Sequence, residues 1–600
     1  MHQTNLPRLD QDTLSSIFKR RVSQTPDSIA YIQFNKKTKT WDEFSWKTQA
    51  NDVMRLQAGL LDIGIDTGMK IAIMQSNCRE WIAIDQAAQG LGVVTVPVYT
   101  NDRAENVDHI LQDAEIDVFV IENSNQLSQL DNISETLKKL KKIILINDIS
   151  DKESPYNNLV FYQEMLNYEA SELISRDILP EKLATIVYTS GTTGKPKGVM
   201  LSHLNILSNI YSGLSMVDVH ESDRFLSFLP LSHMLERMVG YYLPIVTGSS
   251  VAFSRSIAQL ANDLQQIQPT IMVSVPRIFE RVFGKIQDKL DKEKPLKRKI
   301  FNTAIKLGWR KFQMEQGDKS WTPALLLYPA LDKIVGHKVR QQLGGRLRFT
   351  VCGGAALSSQ IAEFFIGLGI PILQGYGLTE TSPVISVNRL TDNVPASVGL
   401  AMPGIDVKVG ANDELLTKSD SVMMGYWNNE EATRQIIDED GWLHTGDKVS
   451  IRDDHVFITG RIKEIIVLGN GEKVPPSDME LAISLDNLVD QVMIVGEGRA
   501  YLSALLVLNE SGLDKYKSEN GITDGDWDYV NDKALNKHLL SLIKRLLRGF
   551  PGYAKIRRVS VCEEPWSIEN GMLTPTLKMK RAIIENNYSN SINKMYDDLA

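Results

Sequence analysis

Cysteine is scarce in this chain. Cys78, Cys352 and Cys562 are the only three in 600 residues, and they stand too far apart for a metal site or a disulfide framework. That usage points to a reducing compartment. No apolar run is long enough to span a bilayer. The first ten residues have no apolar core, so the N-terminus does not read as a signal peptide. Internal repeats and low-complexity tracts are missing as well. Nor is there a surplus of positive charge: 66 Lys and Arg face 74 Asp and Glu, a net charge of -8. That balance excludes nucleic acid as the main partner. What remains is the composition of an ordinary globular protein, 43% hydrophobic and 23% charged. The length allows about four domains.

Short apolar runs alternate with helical patterns from residue 69 onward. Runs 69–74, 92–98, 118–121 and 142–146 read as buried strands, and the positions of Trp81, Ile84 and Ala87 read as one helix face. Strands alternating with helices predict a parallel sheet covered on both faces. Residues 13–66 read as helices around one strand pair that turns at 35–38. After Ser202, a helix cap, the positions of Leu204, Leu207, Tyr211 and Leu214 predict one buried stripe.

The densest chemical signal is YTSGTTGKPKG at 188–198. It lies between a strand at 183–187 and a return strand at 198–201. Glycines let backbone come close to a ligand, successive N–H groups form an anion nest, and Lys195 and Lys197 add charge. A Walker loop is excluded. Only Thr192 and Thr193 separate Gly191 from Gly194, and Pro196 follows Lys195.

Three more clusters follow in order. QGYGLTET at 374–381 sets Tyr376 between glycines, with its ring free to stack on a flat ligand, and offers Glu380 as a hard oxygen ligand. GWLHTGD at 441–447 presents Asp447, a carboxylate able to accept two hydrogen bonds. TGRIKE at 459–464 is followed by a glycine turn at 469–471. Beyond 464 the pattern changes to a small α+β module that ends in GMLTPTLKMKR at 571–581.

Taken together, these runs resemble the AMP-forming acyl-CoA synthetases of the adenylate-forming superfamily, over nearly the whole chain from about Leu14 to Ile584. FLPLSHMLER at 228–237 and IMVSVPRIFE at 271–280 resemble its long-chain branch. The resemblance implies a luciferase-like α/β fold. A large N-terminal domain spans 1–460, a hinge 461–463, and a smaller mobile α+β domain 464–600. It further implies that ATP is held by Thr189, Ser190, Gly191, Thr192, Thr193, Gly194, Lys195, Lys197, Gly354, Ala355, Gln374, Gly375, Tyr376, Gly377 and Thr379. Asp447 holds the ribose, Arg461 is a second contact to ribose or phosphate, Thr189 and Glu380 hold Mg²⁺, and Lys578 is the adenylation lysine. By the same resemblance His233 sits near the substrate carboxylate, Lys463 is the pivot, and Gly471 lines the channel for CoA. The usual glycine before the adenylation lysine is Leu577 here.

The expected activity is ATP-dependent conversion of a long-chain fatty acid to acyl-AMP and then to acyl-CoA. An acyl-AMP ligase that loads a carrier protein, and a ligase for medium-chain or other carboxylic acids, are the alternatives. Residues 285–346 read as a helical insertion with 15 Lys or Arg against 6 Asp or Glu, 15 − 6 = +9. It is either a solvated excursion or a patch that rests on anionic membrane. Location is expected to be cytoplasmic, on the inner face of the membrane if peripheral. The oligomeric state is left open, a homodimer included.

Overall fold

The computed structural model describes residues 8–147, 156–189, 195–522, 527–552 and 554–597. Two large sheets and two small ones organise the described residues. The first sheet has eight strands, in the order Gly425–Tyr426, Lys197–Ser202, Leu183–Thr189, Val94–Pro97, Lys70–Met74, Val118–Ile121, Lys142–Leu145 and Leu159–Phe161. The six from Leu183–Thr189 outward are parallel. Val94–Pro97 and Val118–Ile121 are buried at every position, because helices cover both faces.

The second sheet has thirteen strands. Its parallel centre runs through Ile29–Asn35, Ser250–Phe253, Arg224–Ser227, Ile271–Ser274, Phe349–Cys352 and Ile372–Gly377. At Ile372–Gly377 the direction changes, and Val384–Val387 pairs with it antiparallel. An antiparallel extension continues to the hairpin Leu443–Arg452/His455–Arg461. Parallel strands deliver their carboxyl ends to one edge, and that edge is where open α/β sheets bind ligands.

Helix His203–Leu214 lies between the sheets, capped by Ser202 with Asn205 in a reciprocal box. Its buried side includes Ile206, Leu207, Ile210 and Leu214, while Tyr211 is 40% exposed. The stripe expected from the sequence is therefore turned, because this helix packs on two sides rather than one.

One apolar cluster fuses both large sheets, and residues 466–561 build a separate one. The small module has a two-stranded ribbon, Ile466–Val467 with Lys473–Val474, and a three-stranded sheet. Val489–Val495 runs antiparallel and Ile556–Cys562 parallel to Leu502–Leu508. Helices Pro476–Ser484 and Lys533–Leu546 accompany them.

The basic segment is helical, through Pro276–Asp291, Pro295–Glu315, Tyr328–Ile334 and Gly336–Gln342. Phe279 and Phe283 dock on Phe365 and Phe364 of helix Ser359–Gly367, with ring centroids 5.1 and 4.8 Å apart. Helix Pro295–Glu315 crosses the same helix backbone to backbone. A Cβ on Gly308 would lie 1.9 Å from the Gly367 carbonyl oxygen. Alanine is the better helix former by about 1 kcal/mol, yet overpacking costs about 1–3 kcal/mol. Gly308→Ala is therefore expected to lower the denaturant midpoint. A midpoint at or above that of the parent would show that the crossing yields.

Candidate active site

A cavity of about 2420 Å³ opens at the carboxyl edge of the thirteen-stranded sheet and is closed on one side by the small module. Its wall includes Thr189, His233, Gly354, Ala355, Gln374, Gly375, Tyr376, Gly377, Thr379, Glu380, Asp447, Arg461, Lys463 and Lys578. The structure thus brings these remote segments to one chamber. Lys195, Lys197 and Gly471 are not on that wall. Ser190, Gly191, Thr192, Thr193 and Gly194 lie outside the described residues.

Asp447 anchors the polar end. It faces Arg461 directly across the hairpin, which is closed by Asp453 and Asp454 in left-handed backbone at φ 48 and 63. The Arg461 Nε forms an ion pair with Asp447 Oδ1 at 3.0 Å, and the Tyr376 hydroxyl donates to Oδ2 at 2.6 Å. Each oxygen keeps a free lone pair, so the carboxylate can still accept from a vicinal diol. Tyr376 belongs to strand Ile372–Gly377. Its hydroxyl is committed to Asp447, and burial beside that carboxylate pushes its pKa far up.

Glu380 is held from the other side. The Tyr426 hydroxyl donates to its Oε1 at 2.8 Å, and its backbone carbonyl accepts from Met423 N–H at 2.9 Å. The Lys197 ammonium lies 5.1 Å from the centre of the Tyr426 ring. Tyr426 therefore links Glu380 to the hairpin that carries Thr189 opposite Lys197. The sequence reading did not single out Tyr426; its place in the Gly-Tyr-Trp run at 425–427 was the available signal.

Lys578 reaches the chamber from the small module. Burial lowers its pKa, the Arg461 charge lowers it further, and Asp447, Glu380 and Glu464 pull it back up. The loop that presents it is self-tied. The Thr574 N–H donates to the Lys578 carbonyl at 2.8 Å, and the Lys578 N–H donates to the Thr574 hydroxyl at 3.1 Å. Between them Leu577 holds φ 61, a left-handed backbone in which a glycine would sit unstrained.

His233 Nδ1 accepts from the Leu235 N–H at 3.2 Å. Burial, and then the Lys578 charge, pull its pKa down to about 4. At neutral pH the ring is uncharged with its proton on Nε2, which makes Nε2–H a donor. Beside it an apolar arm of the cavity runs along Val217, Leu235, Met238, Val239 and Leu243. No sequence period marks this arm, since its members come from separate elements and a π-helical turn, Met238–Tyr242.

Glu236 and Arg237, from the same run, are buried away from that wall. Arg237 pairs with Asp85 at 3.0 Å, both fully buried. Burial pushes the Glu236 carboxyl up to about 8, and its Oε2 has no partner. The unfolded chain ionises this group near 4.5. Its contribution to stability is thus complete below about 4.5 and is lost as pH rises through about 8. Glu236→Gln does not titrate. It is expected to melt higher than the parent at pH 9, with the gap closing toward pH 5. A gap that does not change with pH would remove this assignment.

Among the described residues no group of three or more His, Cys, Asp or Glu side chains is placed to hold a metal. A resident all-protein metal cage does not fit. A Mg²⁺ ion that keeps its waters and binds phosphate needs only one carboxylate and a hydroxyl, which Glu380 and Thr189 supply on one wall.

The family model described as AMP-binding enzyme matches residues 18–427, and that described as AMP-binding enzyme C-terminal domain matches 463–600. A long-chain-fatty-acid–CoA ligase of Mycobacterium bovis is 30% identical, with 98% of each chain covered. A peroxisomal long chain acyl-CoA synthetase of Arabidopsis thaliana is 31% identical, over 91% of this chain and 80% of its own. Among solved structures, the adenylation domain of a carboxylate reductase from Mycobacterium chelonae superposes with TM-score 0.77 at 22% identity, over 99% of this chain and 95% of its own. An anthranilate CoA ligase solved with anthranoyl-AMP gives 0.74 at 18% identity, over 99% and 100%. These last two show a shared fold.

Proposed function

The chain belongs to the AMP-binding enzyme family, and from that premise we propose that it is an AMP-forming ligase that activates long-chain fatty acids. The relatives of about 30% identity carry that activity in their names. What supports the reading most is the mutual electrostatic range of Lys578, Arg461, Asp447 and Glu380 in one cavity.

In the first step the carboxylate oxygen attacks the α-phosphorus of ATP. The bond to the bridging oxygen breaks and pyrophosphate leaves. Two anions must meet, so the difficulty is electrostatic. No general base is needed, because the acid is already ionised at pH 7. Lys578 offers its ammonium to the reacting phosphate. Asp447, held by Arg461 and Tyr376, accepts from the ribose hydroxyls. His233 Nε2–H meets the carboxylate without bringing a second charge, and the apolar arm takes the chain. Mg²⁺, when bound through Thr189 and Glu380, spreads the phosphate charge. In the second step the CoA thiolate attacks the acyl carbonyl and AMP leaves. Between steps the small module turns about 461–463, with Lys463 as pivot, which withdraws Lys578 and presents the turn at Gly471.

Long-chain acids partition into lipid, and on this reading the enzyme is cytoplasmic and peripheral to a membrane. ATP–pyrophosphate exchange across an acyl panel, followed by AMP release with and without CoA, tests the proposal. Exchange is expected with long chains, and AMP release only with CoA. No exchange with any carboxylic acid would end it. A stall at acyl-AMP in the presence of CoA would transfer the chain to the carrier-loading class.

A further inference from the structure

We propose that residues 321–331 insert into the interface of an anionic lipid bilayer, with the surrounding lysines and arginines held at the headgroups; this rests on the reading of the substrate as a membrane-derived acid. The run is WTPALLLYPAL, eleven residues without a charge, between Lys319 and Asp332. A folded chain ordinarily buries such a run. Here Trp321 is 55% exposed, Leu326 73% and Leu327 62%, and Ile334 just beyond is 53% exposed. Among the described residues Leu326 is the most exposed large hydrophobic side chain. Only Leu325 of the turn Pro323–Leu327 points inward.

The turn is held from below. Arg310 donates to the Ser320 carbonyl at 2.8 Å, and the Lys311 ammonium lies 5.7 Å from the centre of the Tyr328 ring. The nearest acid, Asp332, is paired with Arg340 at 2.7 Å, so its charge does not oppose an anionic surface. Lys319, Lys333 and Lys338 are exposed around the run.

Charge selects the occupant. Residues 285–346 carry +9, and the rest of the chain has 51 Lys and Arg against 68 Asp and Glu, 51 − 68 = −17. An anionic bilayer attracts the first and repels the second, which turns this face to the surface. A second copy would set +9 against +9 if the two patches met, and like charges oppose that contact.

The test is flotation of the full chain with vesicles of phosphatidylcholine alone, or with about 30% phosphatidylglycerol, at low and raised salt. The parent is expected to float with the anionic vesicles. Leu326→Ser/Leu327→Ser should lose about tenfold in partitioning. Lys319→Gln/Lys333→Gln should lose roughly fivefold for each cation at low salt, and less when salt screens the charge. Leu179→Ser, at a site 64% exposed outside this segment, should change nothing. Equal flotation on both vesicle types, or leucine variants that float like the parent, overturns the inference. So does light scattering that finds a dimer broken by the leucine pair while vesicle binding persists. Flotation needs no turnover. A parent that floats but activates no acid defeats the ligase reading alone; an active ligase that does not float defeats this inference alone.

Discussion

Lys578→Ala is expected to reduce acyl-AMP formation by about 10²–10³-fold, the usual loss when one preorganised charge donor leaves a reacting centre. Reaction of CoA with supplied acyl-AMP should continue within a few fold, because the lysine serves the phosphate and not the thioester. Lys580→Ala is the informative partner. Lys580 stands only two residues on, but its charge falls on Asp102 of the large domain, and it is not on the cavity wall. Its loss should leave the chemistry nearly unchanged. The lowered pKa of Lys578 adds a second readout. kcat/KM for adenylation should fall on the alkaline side below the ordinary lysine range, and that limb should be missing from Lys578→Ala. Parent rates of pyrophosphate exchange in Lys578→Ala, or an equal loss in Lys580→Ala, would sink the assignment.

The second large effect concerns stability. Arg237 donates to Asp85 at 3.0 Å, to Thr185 at 2.9 Å and to Thr95 at 2.8 Å, all buried. Tyr241 and Tyr242 donate to the other oxygen of Asp85 at 2.7 and 3.0 Å. Arg237→Leu leaves a buried carboxylate without its cation, which costs about 3–5 kcal/mol. The two tyrosines hold the loss to the lower end. Denaturant unfolding measures it, and the second variant Asp85→Leu/Arg237→Leu should recover much of the difference, since it removes both charges. A double variant no better than the single one would show that the network acts by shape and not by charge.

Arg237 also marks the boundary of what the sequence discloses. The run 228–237 resembles the long-chain branch, and His233 does line the cavity. Three and four residues on, Glu236 and Arg237 belong to the joint between helices and sheets. Period and composition report that a side chain is buried, but not what it is buried against. The parallel strands at 94–97 and 118–121 were legible because short, largely apolar runs there alternate with helical patterns. The pairing of Tyr31 with Val251 was not, since nothing local tells one strand which other strand it will pair with. The reversal at Ile372–Gly377 was hidden for the same reason. Glycines beside Tyr376 suggested a ring free to stack on a flat ligand; that the residue stands on a strand and spends its hydroxyl on Asp447 was not legible. Tyr426 sat in the Gly-Tyr-Trp run at 425–427, but its tie to Glu380 became visible only in the folded chain.

The buried ammonium of Lys578 also sets the order of events. A desolvated cation makes closure of an empty chamber unfavourable, and an occupying polyphosphate reverses that balance. On the proposed ligase reading, loss of pyrophosphate restores the original penalty, so departure of the first product would favour release of the module ahead of the second step.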